Sequence, residues 1–132
     1  MKHKVDWIDR WLFLSPYCIG LCRDEESFNK ELKRLKVPVK NWPKWVKGER
    51  SDATTHFFEK DDNRGLCCIV CIRNRKGIDN IAVIGLLVHE AVHIWQAIKD
   101  EIGEKEPSSE FEAYAIQDIS QRLIESYRKG KP

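Results

Sequence analysis

Apolar residues recur along this 132-residue chain with two periods. Near the start, Trp7, Trp11 and Leu14, with Ile8 beside them, are spaced for one helical face, which predicts a helix over Val5 to Leu14 that stops before Pro16. Tyr17 to Cys22 reads as a connection. Asp24 is placed to cap a second helix that carries Phe28, Leu32 and Leu35 on one face and ends before Pro38. Val37 to Asp52 holds Pro38, Pro43 and Gly48 and reads as irregular. The period then shortens. Thr54 to Lys60, rich in Thr and Phe, and the apolar run Leu66 to Ile72 predict an antiparallel hairpin about a turn at Asp61 to Gly65, with the second strand central and buried. Arg73 to Gly77 returns the chain to the surface, and Asp79 or Asn80 caps a long helix from Ile81 to about Ile102, closed by Gly103. After a polar loop with Pro107, a last helix runs from about Ser109 to Arg128, capped by Ser108 or Ser109, with Phe111, Ala115, Ile119 and Leu123 along one stripe. The expected class is α+β, a small antiparallel sheet with helices packed on it, in a single domain over residues 1–132.

Composition narrows the classes. A chain of this length can bury roughly two-thirds of its unfolded surface, and thirteen aromatics, five of them Trp, supply material for a core. Its longest apolar run, Ile81 to Val88, meets His89 and Glu90 after eight residues, far short of the roughly 20 a membrane span needs. Asp6, Asp9 and Arg10 interrupt any signal-peptide core. Five cysteines, an odd number, fit reduced thiols better than a disulfide framework. The expectation is a cytoplasmic protein with no membrane partner. A formal charge of +2 is too small to point by itself to nucleic acid.

The chemistry concentrates in His89-Glu90-Ala91-Val92-His93 on the long helix. Histidines four residues apart stand one above the other on one helical face, about 6 Å apart in rise, so both imidazoles can reach one ion. Glu90 lies on a neighbouring face, where it can address a water on that ion without ligating it. The flanks, Ile84, Leu86, Leu87, Val88, Val92 and Trp95, are apolar, and polar groups on a largely buried helix need partners. The alternative is that both histidines are ordinary hydrogen-bonded residues of a core helix. A catalytic zinc keeps three protein ligands and one position for water, so a third ligand has to come from elsewhere. The opening of the last helix offers two carboxylates, Glu110 and Glu112, seventeen and nineteen residues beyond His93.

These two segments together resemble the gluzincin class of zinc metallopeptidases. More narrowly, GLLVHEAVHIWQ (Gly85 to Gln96) with SEFEAYAIQ (Ser109 to Gln117) is similar to small phage and prophage metallopeptidases of minigluzincin size, over about a third of the chain. The resemblance implies a zincin-like domain that holds one Zn2+ through His89, His93 and Glu110, with Glu112 as the rival third ligand. It implies Glu90 as the general base that takes a proton from the zinc-bound water and returns it to the leaving amine of a peptide or protein substrate. Tyr114 stands where many gluzincins carry an Asp, so the group that orients a ligand histidine is differently built, with Asp118 a candidate. Tyr114 and His56 are candidate oxyanion donors, and the edge Thr54 to Glu59 is a candidate for peptide binding by strand addition.

Two other functions compete. One is a zinc-bound module that holds a peptide or protein partner without cutting it. The other is a nucleic-acid contact through Trp42-Pro43-Lys44-Trp45, set among Lys36, Lys40, Lys47 and Arg50. A four-thiolate site from Cys18, Cys22, Cys68 and Cys71 is disfavoured, because Cys68 and Cys71 point to opposite faces of their strand.

Overall fold

The run Leu66–Ile72 is apolar without interruption because it is buried on both faces, and the rest of the molecule is arranged about it. A computed structural model describes residues 4–8, 16–59, 66–73 and 77–130. They form strands β1 (Asp6–Ile8) and β2 (Tyr17–Cys22), helix α1 (Glu25–Arg34), strands β3 (Ala53–Glu59) and β4 (Leu66–Ile72), and helices α2 (Asn80–Glu101) and α3 (Ser109–Lys129), with one short 3-10 turn at Val39–Asn41. The sheet order is β1-β2-β4-β3. β3 pairs antiparallel with β4, as expected of the hairpin, whereas β2 runs parallel to β4, from Tyr17 opposite Leu66 to Cys22 opposite Cys71. The sheet is therefore mixed, and the wholly antiparallel sheet expected from sequence is corrected.

Two segments differ from the sequence reading. Asp6–Ile8, expected at the start of a helix, is an edge strand antiparallel to β2; the remainder of that expected helix, and the turn at 61–65, lie outside the described residues. Tyr17–Cys22, expected to be a connection, is an almost wholly buried strand. The pairing depends on Gly20. A Cβ there would lie 2.7 Å from Val5 Cγ1 and 3.0 Å from Trp7 Cε3, so only glycine lets β1 lie this close.

Side-chain alternation divides the core into two layers. Ile19, Leu21, Cys68, Val70 and Ile72 face α2 and α3, where they meet Leu87, Ala91, Ile94, Ile98, Ile119 and Leu123. Cys22, Ile69 and Cys71 face the opposite way, towards Phe28 and Leu32 of α1 and Val46. Cys68 and Cys71 thus point to opposite faces, and all five cysteines are free thiols. Burial pushes the Cys68 thiol well above its usual range, which suits an inert packing residue.

The helix ends follow their capping residues. Asp24 accepts from Ser27 N at 2.7 Å, Asp79 from Ile81 N at 3.0 Å and Ser108 from Phe111 N at 3.2 Å. At the end of α2, Gly103 sits at φ +77°, and the Gly103 and Glu104 amides close on Asp100 and Lys99. α2 is long and apolar enough to cross a membrane by length and composition alone, with a mean hydropathy of 1.6 over its best window; here it lays one face on the sheet and another on α3.

Candidate metal centre

Each residue of a helix is turned about 100° from the last, and that rotation sorts the motif on α2. Val83, Leu87, Ala91, Ile94 and Ile98 form the buried face. Glu90 lies at the margin of that face nearest β3 and is itself buried, whereas His89 and His93 lie beyond the margin and are exposed. The side chain of His89 is 66% exposed and that of Glu90 only 6%. One short sequence thus places two imidazoles at the surface and a carboxylate beneath them.

The three groups converge: one donor atom from each of His89, Glu90 and His93 lies within 4.8 Å of the other two. His93 Nε2 and His89 Nε2 are 3.2 Å apart. A tetrahedral ion with metal–nitrogen bonds of about 2.0–2.1 Å separates two such nitrogens by about 3.3 Å, so this spacing suits a shared ion. The rings meet at 74° with centroids 4.8 Å apart, as two side chains aimed at one point rather than stacked. His93 Nδ1 lies 3.2 Å from Gln96 Oε1. With that carbonyl as acceptor, Nδ1 is the donor of the pair, and Nε2 is the ring nitrogen turned to His89 Nε2. Gln96, one turn of helix on, reads in the sequence as a packing or surface residue; its spacing of three from His93 was the available signal for this contact.

Glu90 is held differently. Thr55 Oγ1, on β3, donates to Glu90 Oε1 at 3.0 Å, while Oε2 faces His89 Nε2 at 3.9 Å. Two ligands of one tetrahedral ion sit about 3.3 Å apart, and a carboxylate that reaches an ion through a water stands farther off. The Glu90 separation is wider than that between the two imidazole nitrogens, and the three groups together could hold an ion. Thr55 was also missed in the sequence, where it reads only as a β-forming residue.

The other candidates lie apart from this cluster. Glu110, in the first turn of α3, is exposed and lies outside the converging group. On the α3 wheel it is about half a turn from Ile119, which faces the core. Glu112 is turned inward and accepts from Trp95 Nε1 at 2.8 Å. Asp118 accepts from Arg122 Nε at 2.9 Å, and the side chain beside His93 Nδ1 is Gln96. Tyr114 is 64% exposed. His56 follows Thr55 on β3 and therefore points to the other side of the sheet. There it packs on Phe28, with ring centroids 4.9 Å apart, and its Nε2 donates to the Trp45 carbonyl at 3.0 Å. Burial holds the His56 pKa below its ordinary value, against the opposing effect of that bond. His3 lies outside the described residues.

Comparison of this chain with protein-family models, with curated proteins and with solved structures gives no match.

Proposed function

We propose that this chain is a zinc-dependent hydrolase of peptide bonds. His89 and His93 hold the ion, Glu90 handles the proton, and Glu110 is the third ligand. The observation that carries the reading is the convergence of two imidazole nitrogens 3.2 Å apart with a buried carboxylate one step removed. Two imidazoles and a carboxylate are a donor set that suits Zn2+, and the Gln96 carbonyl beside His93 Nδ1 suits a ring that ligates through Nε2. When bound, zinc acidifies a coordinated water to a pKa of about 7 and polarises a carbonyl.

The chain supplies the rest. Thr55 fixes one oxygen of Glu90 and leaves the other turned towards the histidines. That oxygen accepts a proton from a water on the His89 side and passes it to the amine that leaves the cleaved peptide. Glu110 is assigned from the resemblance of its helix to gluzincins. The exposure of His89 and the absence of Glu110 from the converging group favour a second reading, a zinc-bound module that holds a partner without cutting it.

One variant separates the two. Glu90→Gln keeps the shape of the side chain and removes its basicity. It is expected to retain one equivalent of zinc and to lose at least about a hundredfold of the zinc-dependent cleavage of a fluorogenic peptide mixture. Cleavage at the parental rate in that variant contradicts the proposal, and zinc binding with no cleavage by either protein supports the non-cutting module. Glu110→Gln and Glu112→Gln, compared for zinc affinity, identify the third ligand.

A further inference from the structure

The small net charge of the chain conceals a strong asymmetry. From Leu32 to Gly48 the sequence holds six cations (Lys33, Arg34, Lys36, Lys40, Lys44 and Lys47) and no carboxylate, so the other 115 residues carry a formal −4 against a total of +2. The fold gathers this charge on one side. The segment covers the face of the sheet opposite α2, with Leu32 and Val46 buried and Val37, Trp42 and Trp45 packed against the same cluster. All six cationic residues are exposed. Arg34 pairs with Glu31, whereas Lys33, Lys36, Lys40, Lys44 and Lys47 form no ion pair among the described residues.

A second observation points to the same surface. The end of α1 closes with the two bonds seen at the end of α2: the Lys36 amide bonds the Lys33 carbonyl, and the Val37 amide bonds that of Leu32. At α2 the left-handed residue is Gly103, but here it is Lys36, at φ +61°. Glycine fills this position without strain and lysine does not, so a cation is kept where stability favours its absence.

We propose that this face binds double-stranded nucleic acid through the phosphate backbone. The aromatics of the segment decide between backbone and bases. Trp42 Nε1 donates to the Val37 carbonyl at 2.8 Å, and both indoles lie half-buried against the core cluster, so the fold engages them rather than holding them out to stack on unpaired bases. What the surface presents is flexible ammonium groups, which recognise closely spaced phosphates without reading sequence. The histidine cluster is carried by α2, which packs on the other side of the sheet, so the two surfaces are separate.

The test is fluorescence anisotropy of the full chain with a labelled 20-base-pair DNA duplex of arbitrary sequence, titrated at several NaCl concentrations. Three to five phosphate contacts give log K falling against log[NaCl] with a slope of about −3 to −5. Lys40→Glu combined with Lys44→Glu is expected to weaken binding at least about tenfold at low salt, whereas Lys105→Glu, on the α2–α3 connection, changes it little. Lys36→Gly is expected to raise the thermal midpoint while weakening binding, opposite signs that a purely structural role for Lys36 does not produce. Absence of binding at 50 mM NaCl, a slope near zero, or indifference to the Lys40 and Lys44 reversals overturns the proposal. Tighter binding to phosphatidylserine vesicles than to the duplex also overturns it and assigns the face to a membrane surface.

Discussion

At the scale of single residues, the proposed chemistry depends on how buried and exposed groups share one helix. Glu90 is nearly inaccessible yet needs an oxygen facing the histidines, and the Thr55 hydroxyl meets both conditions by taking up the other oxygen. Hydrogen bonds to charged groups contribute about 1.5–3 kcal/mol. Thr55→Val keeps the volume and removes the donor. It is expected to lower stability by about that amount in urea unfolding, and to reduce kcat more than KM if Glu90 moves the proton. Thr55→Ser is expected to restore both. Equal stability in all three proteins contradicts the role given to this bond. The histidines and Glu90 were legible in the sequence because their spacing alone places them on one helix. Thr55 was not, since its partner is 35 residues away and a threonine in a strand has an ordinary reason to be there.

Elements whose signals are local were read well: the three described helices begin at Asp24, Asp79 and Ser108, as their capping chemistry indicates. The failures share one cause. β2 is a parallel strand buried on both faces, so it shows no alternation of polar and apolar residues, and with six residues and an internal glycine it resembles a connection. β1 misled through Trp7 and Ile8, whose spacing with later apolar residues mimics a helix, while their actual environments are set by pairing with Gly20 and Ile19. Gly20 links the two errors, because it lets Trp7 lie against the strand, where its indole donates to Glu31 at 3.1 Å and ties the edge to α1. Gly20→Ala is therefore expected to cost about 1–3 kcal/mol through overpacking and to shift the tryptophan fluorescence as Trp7 is displaced. An unchanged thermal midpoint would show that β1 does not depend on this close approach.

Across the whole molecule, one mixed sheet separates the two proposed sites. On one side α2 presents the converging histidines over the helical core, and on the other the α1 layer carries the cationic segment. The α+β class and the hairpin were evident in the sequence, as was the helix that carries the site. The distribution of charge was hidden by a total that nearly cancels. Glu110 is exposed in the first turn of α3, a helix whose buried stripe runs through Ala115, Ile119 and Leu123. The account rests on His89 and His93 acting as a pair, and calorimetric titration of the metal-free protein with zinc tests this directly. One equivalent is expected to bind, with stabilisation of about 2.7 kcal/mol at a hundredfold excess over Kd and a rise in thermal midpoint of roughly 10 °C. His93→Ala is expected to abolish both effects. Zinc binding that persists unchanged in His93→Ala, or no binding by the parent protein, would contradict the account.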